Sequence, residues 1–151
     1  MKQVVREVEL PVFSIEMDIS ECIFNTIEEI VAFIEEQVQT HKAAKYIATF
    51  NHMKHTCELP EGKVAEEIVA AYNIVFCFGF TLQDPEQLAT RPRSIGICQS
   101  DGSITLSFVE APMPVANALM EQWSRSLLQD NLSANQPIKG TPQQAYSLPK
   151  P

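Results

Sequence analysis

The chain has 151 residues, 45% of them hydrophobic, and a net charge of −8 from 19 acidic and 11 basic side chains. That length fits one domain with a real core. The acidic balance, with no basic run, argues against a general nucleic-acid or anionic-membrane binder, because both need a basic footprint.

The opening residues, MKQVVREVELPVFSIEMD, are broken by charges and hold no long apolar segment, so no signal peptide is expected. No apolar run approaches the roughly 18 residues of a membrane span. A cytoplasmic location follows as the expectation. Cys22, Cys57, Cys77 and Cys98 are widely spaced and form no CxxC, so reduced, mostly buried thiols are expected.

The first predicted element is a strand, Val12 to Asp18, in which Phe13, Ile15 and Met17 alternate with polar residues. Pro11 breaks the pattern upstream, where Val8 and Leu10 fall on the opposite phase. Thr26 to Glu29 form a capping box, and Ile27, Ile30, Val31, Ile34 and Val38 line one face of the helix that follows, which ends near His41–Lys42. Tyr46 to Phe50 alternate as a second strand. Met53 to Cys57 read as a loop, and Val64, Ile68 and Tyr72 as a short helical stripe. Ile74 to Phe78 form a continuous apolar run, expected as a central strand covered on both faces.

Asp101–Gly102 is a two-residue turn of the kind that needs positive φ. Centring a hairpin there pairs Gln99 with Ile104, Ile97 with Leu106 and Ile95 with Phe108. Its other face carries only small residues, Gly96, Cys98, Thr105 and Ser107, suited to lie under a helix or to admit a ligand or second subunit. After Pro112 and Pro114, a last helix is expected with Val115, Leu119, Trp123 and Leu127 on one stripe. Residues 130–151 are rich in Pro, Gln, Ser and Asn and read as a tail following a single domain, 1–129. The expected fold is a two-layer α+β sandwich: a mainly antiparallel sheet of about four to five strands with two to three helices.

Four segments occur in a telling order: FNHMKHT from Phe50, IVFCFG from Ile74, RPRSIGICQSDGSITLSF from Arg91 and EAPMPVANALM from Glu110. Over roughly Thr26 to Leu128 they resemble a small bacterial family, the domain of unknown function numbered three hundred and two. Asn51 stands where that family tends to have aspartate, and the Gly-Asn-Pro that follows its Phe-Gly is missing, which points to an uncharacterised neighbouring family as well. The resemblance implies a compact α+β domain that pairs as a homodimer, and no activity.

Two constellations carry possible chemistry. The first is His52-x-x-His55-x-Cys57, next to Asn51. In a strand the two histidines point to opposite faces; in a helical turn they meet while Cys57 points elsewhere. No regular conformation aims all three at one ion, so neither a metal site nor a cofactor is expected. His52 either ends the strand with a local hydrogen bond or serves as a single titrating group facing the Arg91 loop. The second is Arg91-Pro92-Arg93, the close basic pair of an acidic chain. Guanidinium forks suit carboxylates and phosphates, so the choices are an anion site or a loop anchored on Asp84, Glu86 or Glu110. No Gly-rich phosphate loop, G-x-S-x-G elbow or HExxH occurs.

The leading functional reading is therefore a homodimeric module that binds a small anionic ligand or a protein, with Asn51, His52, Arg91, Arg93 and Glu110 as candidate contacts. The alternative is a small enzyme or a redox or metal-handling protein centred on His52.

Overall fold

The computed structural model describes residues 1–79 and 81–129; the predicted tail lies outside them. The elements run β1 (Val12–Asp18), a 3-10 turn (Ile19–Glu21), α1 (Ile27–Thr40), β2 (Ala44–Asn51), α2 (His52–Glu58), β3 (Ile68–Phe78), a second 3-10 turn (Pro85–Thr90), β4 (Arg93–Ser100), β5 (Ser103–Val109) and α3 (Pro114–Arg125). The five strands form one antiparallel sheet in the order β1-β5-β4-β3-β2. With three helices beside it, this is the α+β class that the alternation and capping signals predict.

The hairpin forms in the expected register. Gln99 pairs with Ile104 and Ile97 with Leu106, and Asp101 and Gly102 both take positive φ, 29° and 94°. The ladder stops at Gly96–Ser107, short of the predicted Ile95–Phe108 pair. Helix α1 begins where predicted. The Thr26 hydroxyl accepts from the Glu29 amide, and the Glu29 carboxylate accepts from the Thr26 amide. Its five predicted apolar residues are the five that are buried.

The core lies between this helix, α3 and one face of the sheet. Ile30, Ile34, Ile74, Phe76, Ile95, Ile97, Ile104, Leu106 and Met120 are fully buried in it. Each such side chain contributes about 1.5–3 kcal/mol of transfer free energy. Trp123 sits edge-on to Phe76 and to the His41 ring, and His41 stacks on Phe78.

Four expectations need correction. Met53–Cys57 is not a loop but part of α2, because the Asn51 side chain caps the helix by accepting from the Lys54 amide at 2.7 Å. Val64, Ile68 and Tyr72 do not form a helix; Val64 precedes β3, Ile68 starts that eleven-residue strand, and a bulge between Ile68 and Ala70 offsets it from the alternation that buries Ile74, Phe76 and Phe78. That strand is not covered on both faces: Ile74, Phe76 and Phe78 are buried, whereas Val75 and Cys77 are half-exposed. In α3 the buried stripe is Ala116, Met120, Trp123 and Ser124, continued by Leu127, while Val115 is 73% exposed. A strict spacing of four drifts about 40° per step around a helix of 3.6 residues per turn, so it cannot keep one face.

The hairpin's small-residue face is likewise not under a helix. Gly96, Cys98, Thr105 and Ser107 are half-exposed, and they align through the ladder with Ala71, Asn73 and Ser14 on an open sheet face. The four cysteines are free, and only Cys22 is buried; Cys77 and Cys98 lie on strands and Cys57 is exposed.

Candidate functional site

The ladder separates the two sequence constellations. Asn51 pairs with Tyr72, and Tyr72 with Ile97, at one end of the sheet; Arg93 pairs with Phe76 at the other. The two levels are four residue steps apart along β3, roughly 13 Å. His52 therefore does not face the Arg91 loop.

At the Asn51 end each polar group has a local role. Asn51 caps α2. The rings of His52 and His55 lie 4.6 and 5.3 Å from the Phe50 ring, one edge-on and one tilted. Helix α2 thus brings both histidines to Phe50, and Cys57, on the same helix, is exposed. Among the described residues no three His, Cys, Asp or Glu side chains are grouped to hold a metal ion.

The Arg91 end is different. Arg91 Nη1 donates to the Thr81 carbonyl at 2.9 Å. Arg93 Nη1 donates to the carbonyls of Val109 and Glu110 at 3.4 and 3.3 Å. The expected carboxylate partners are engaged elsewhere or not at all. Glu86 pairs with Arg6 at 2.8 Å, Asp84 accepts from the Glu86 amide, and Glu110 contributes its carbonyl to Arg93. No carboxylate among the described residues forms an ion pair with Arg91 or Arg93. Burial, and then the charge of Arg91, pull the Arg93 guanidinium below its usual value. It remains cationic in water all the same.

The two arginines border a cleft of about 220 Å³ between the end of β3, the Pro85–Thr90 turn and the start of α3. Phe78, Met113 and Ala116 supply an apolar wall, and Thr81, Gln87 and Thr90 a polar rim. Helix α3 starts with Met113 as an N-cap that makes no side-chain capping bond and with Pro114 at its first turn, so its positive end lies in the wall of the cleft. A like-charged pair beside a helix N-terminus, with no counter-charge, is an arrangement that an anion stabilises. Glu110 borders a neighbouring hollow that Arg93 also lines.

Of the sequence candidates, Arg91 and Arg93 share the cleft, Glu110 stands beside it, and Asn51 and His52 are remote. The cleft's other residues come from three segments, and the sequence marked two of them, the Ile74–Phe78 run and the proline pair ahead of α3. Among the described residues no helix is long and apolar enough to cross a membrane.

A model of a family of unknown function, DUF6858, matches residues 1–129. This is an uncharacterised family, as the resemblance implied, but the number three hundred and two finds no support. No curated protein and no solved structure matches the chain.

Proposed function

Since the chain belongs to this family of unknown function, which has no activity to lend, we propose from its surface chemistry that it is a binding module for a small anionic ligand held by Arg91 and Arg93. The observation that carries this reading is the guanidinium pair without a carboxylate partner among the described residues, in a chain whose net charge is −8. Each guanidinium spends one nitrogen on backbone carbonyls and keeps further N–H donors. The cleft is below the usual volume of drug-sized ligand pockets, so the ligand is small. The test is an NMR titration of the full chain with inorganic phosphate and with acetate. Saturable binding that disappears in Arg91→Gln/Arg93→Gln is expected; no binding of either anion sinks the reading.

We also read the module as a cytoplasmic homodimer whose partner surface is the open sheet face. Lys45 and Glu16 occupy diagonally opposite corners of that face, one level with Cys77 and the other with Thr105. An in-plane two-fold axis across that diagonal brings each lysine over the partner's glutamate, and the small residues between them permit close approach of the sheets. Light scattering on the wild type and on Gly96→Arg tests this: a dimer that becomes a monomer is expected, and a wild-type monomer contradicts it. The alternative of an enzyme or metal-handling protein centred on His52 has no comparable support, because His52 lines none of the clefts described.

A further inference from the structure

Beside the arginine cleft lies a second, larger hollow of about 430 Å³. Ile47, Leu82 and Leu88 line it, and they are 51%, 60% and 57% exposed. Single exposed aliphatic side chains are ordinary, but several converging on one hollow mark a recognition surface. These three come from separate segments. Ile47 is the extra residue of a bulge in β2 and has no cross-strand partner, Leu82 follows β3, and Leu88 lies in the Pro85–Thr90 turn.

The hollow and the cleft are not independent. Arg91 and Thr81 line both. Gly79 lies where they join, at φ 125°, and a Cβ added there would stand 3.7 Å from Met113 Cε and 3.9 Å from Arg91 Nη2. An apolar space thus opens directly onto a guanidinium.

We infer that the ligand is a straight-chain carboxylate whose head is held at Arg91 and whose apolar body lies along Ile47, Leu82 and Leu88; this rests on the anion-binding reading above. The chemistry separates it from a sugar phosphate or a polar dicarboxylate. Hydroxyls or a second charge placed against these side chains would find no polar partner among them and gain nothing from their apolar surface. A methylene chain needs none and gains by leaving water. The charge at the joint supplies orientation.

The experiment is an NMR-monitored titration of the full chain with octanoate, acetate and octanol, repeated on Leu88→Gln, with solution mass measured in parallel. Octanoate is expected to bind at least about tenfold more tightly than acetate, since each methylene removed from water is worth roughly fourfold. Octanol is expected to bind far more weakly than octanoate. Leu88→Gln is expected to lower octanoate affinity towards that of acetate while leaving acetate affinity unchanged. Equal affinities for acetate and octanoate overturn this inference and leave the anion site standing. Octanol as tight as octanoate overturns the link between hollow and arginine. A change of oligomeric state in Leu88→Gln with octanoate affinity intact makes the hollow an interface between copies and also overturns the inference. Failure of every anion to bind overturns the parent reading itself.

Discussion

The two ends of the sheet hold the two clusters that stand out in the sequence, and they differ in how their polar groups are satisfied. At the Asn51 end a side chain caps a helix, two imidazoles flank Phe50, and Lys54 lies 3.9 Å from Glu58 one helical turn on. At the Arg91 end two cations meet backbone carbonyls, a helix start without a side-chain cap and, among the described residues, no carboxylate. Residues whose hydrogen-bonding and packing needs are met by near neighbours explain themselves. A charge pair that lacks its counter-charge calls for a ligand.

The largest effect that sharpens this contrast belongs to the arginines. Arg91→Gln/Arg93→Gln should reduce anion affinity by at least about a hundredfold, because each charge-assisted hydrogen bond lost is worth about 1.5–3 kcal/mol. Calorimetric titration checks it; a loss under threefold would equate the two ends. Next comes Gly102→Val, at the hairpin tip on the Asn51 side of the sheet. Gly102 has φ 94° and open space around it, so the penalty is one of backbone strain alone. The expected loss is about 1–3 kcal/mol of stability with anion binding unchanged. An unaltered melting temperature would contradict the turn assignment.

Smaller still is Asn51→Ala, which removes the α2 cap and should cost about 1 kcal/mol. His52→Ala should cost about 0.5 kcal/mol through its ring contact with Phe50. Neither should move anion affinity, and a tenfold drop in either variant would tie the two ends together. The smallest effect is one of pH. Hydrogen bonds from Ser20, side chain first and backbone amide second, hold the exposed Asp18 carboxyl below its usual 3.8. A depressed folded value means that the stabilisation is present above the unfolded value and is lost as pH falls through the folded one. Asp18→Asn should therefore flatten the acid limb, slightly lowering stability at neutral pH, where the ionised carboxylate contributes, and leaving the most acidic extreme unchanged. An identical acid limb in the two proteins would discount the capping contact.

How much was legible in the sequence depended on how local each signal was. Helix α1, the Asp101–Gly102 hairpin and strand β1 carry their instructions within a few residues, as a capping box, a turn and an alternation, and each formed where expected. Helix α2 was missed because seven residues are too few to show a period, and only Asn51 marks its start. Strand β3 was divided because both of its phases are apolar or small, from Ala70–Ala71 to Phe76–Cys77, so neither face declared itself. The arginine pair stood out in the sequence, but its surroundings did not. Thr81 and Gln87 are near Arg91 in the chain but carry no pattern that marks them, Met113 and Ala116 reach it through chain closure, and no local pattern records which carbonyl a guanidinium will choose.

The central claim is most directly tested by following backbone amide resonances of the full chain during an octanoate titration. The account predicts saturable shifts at Thr81, Gln87, Leu88, Arg91, Arg93 and Ala116, with residues 51–58 unmoved. Shifts concentrated on His52 and His55, with the Arg91–Arg93 amides unmoved, would contradict it.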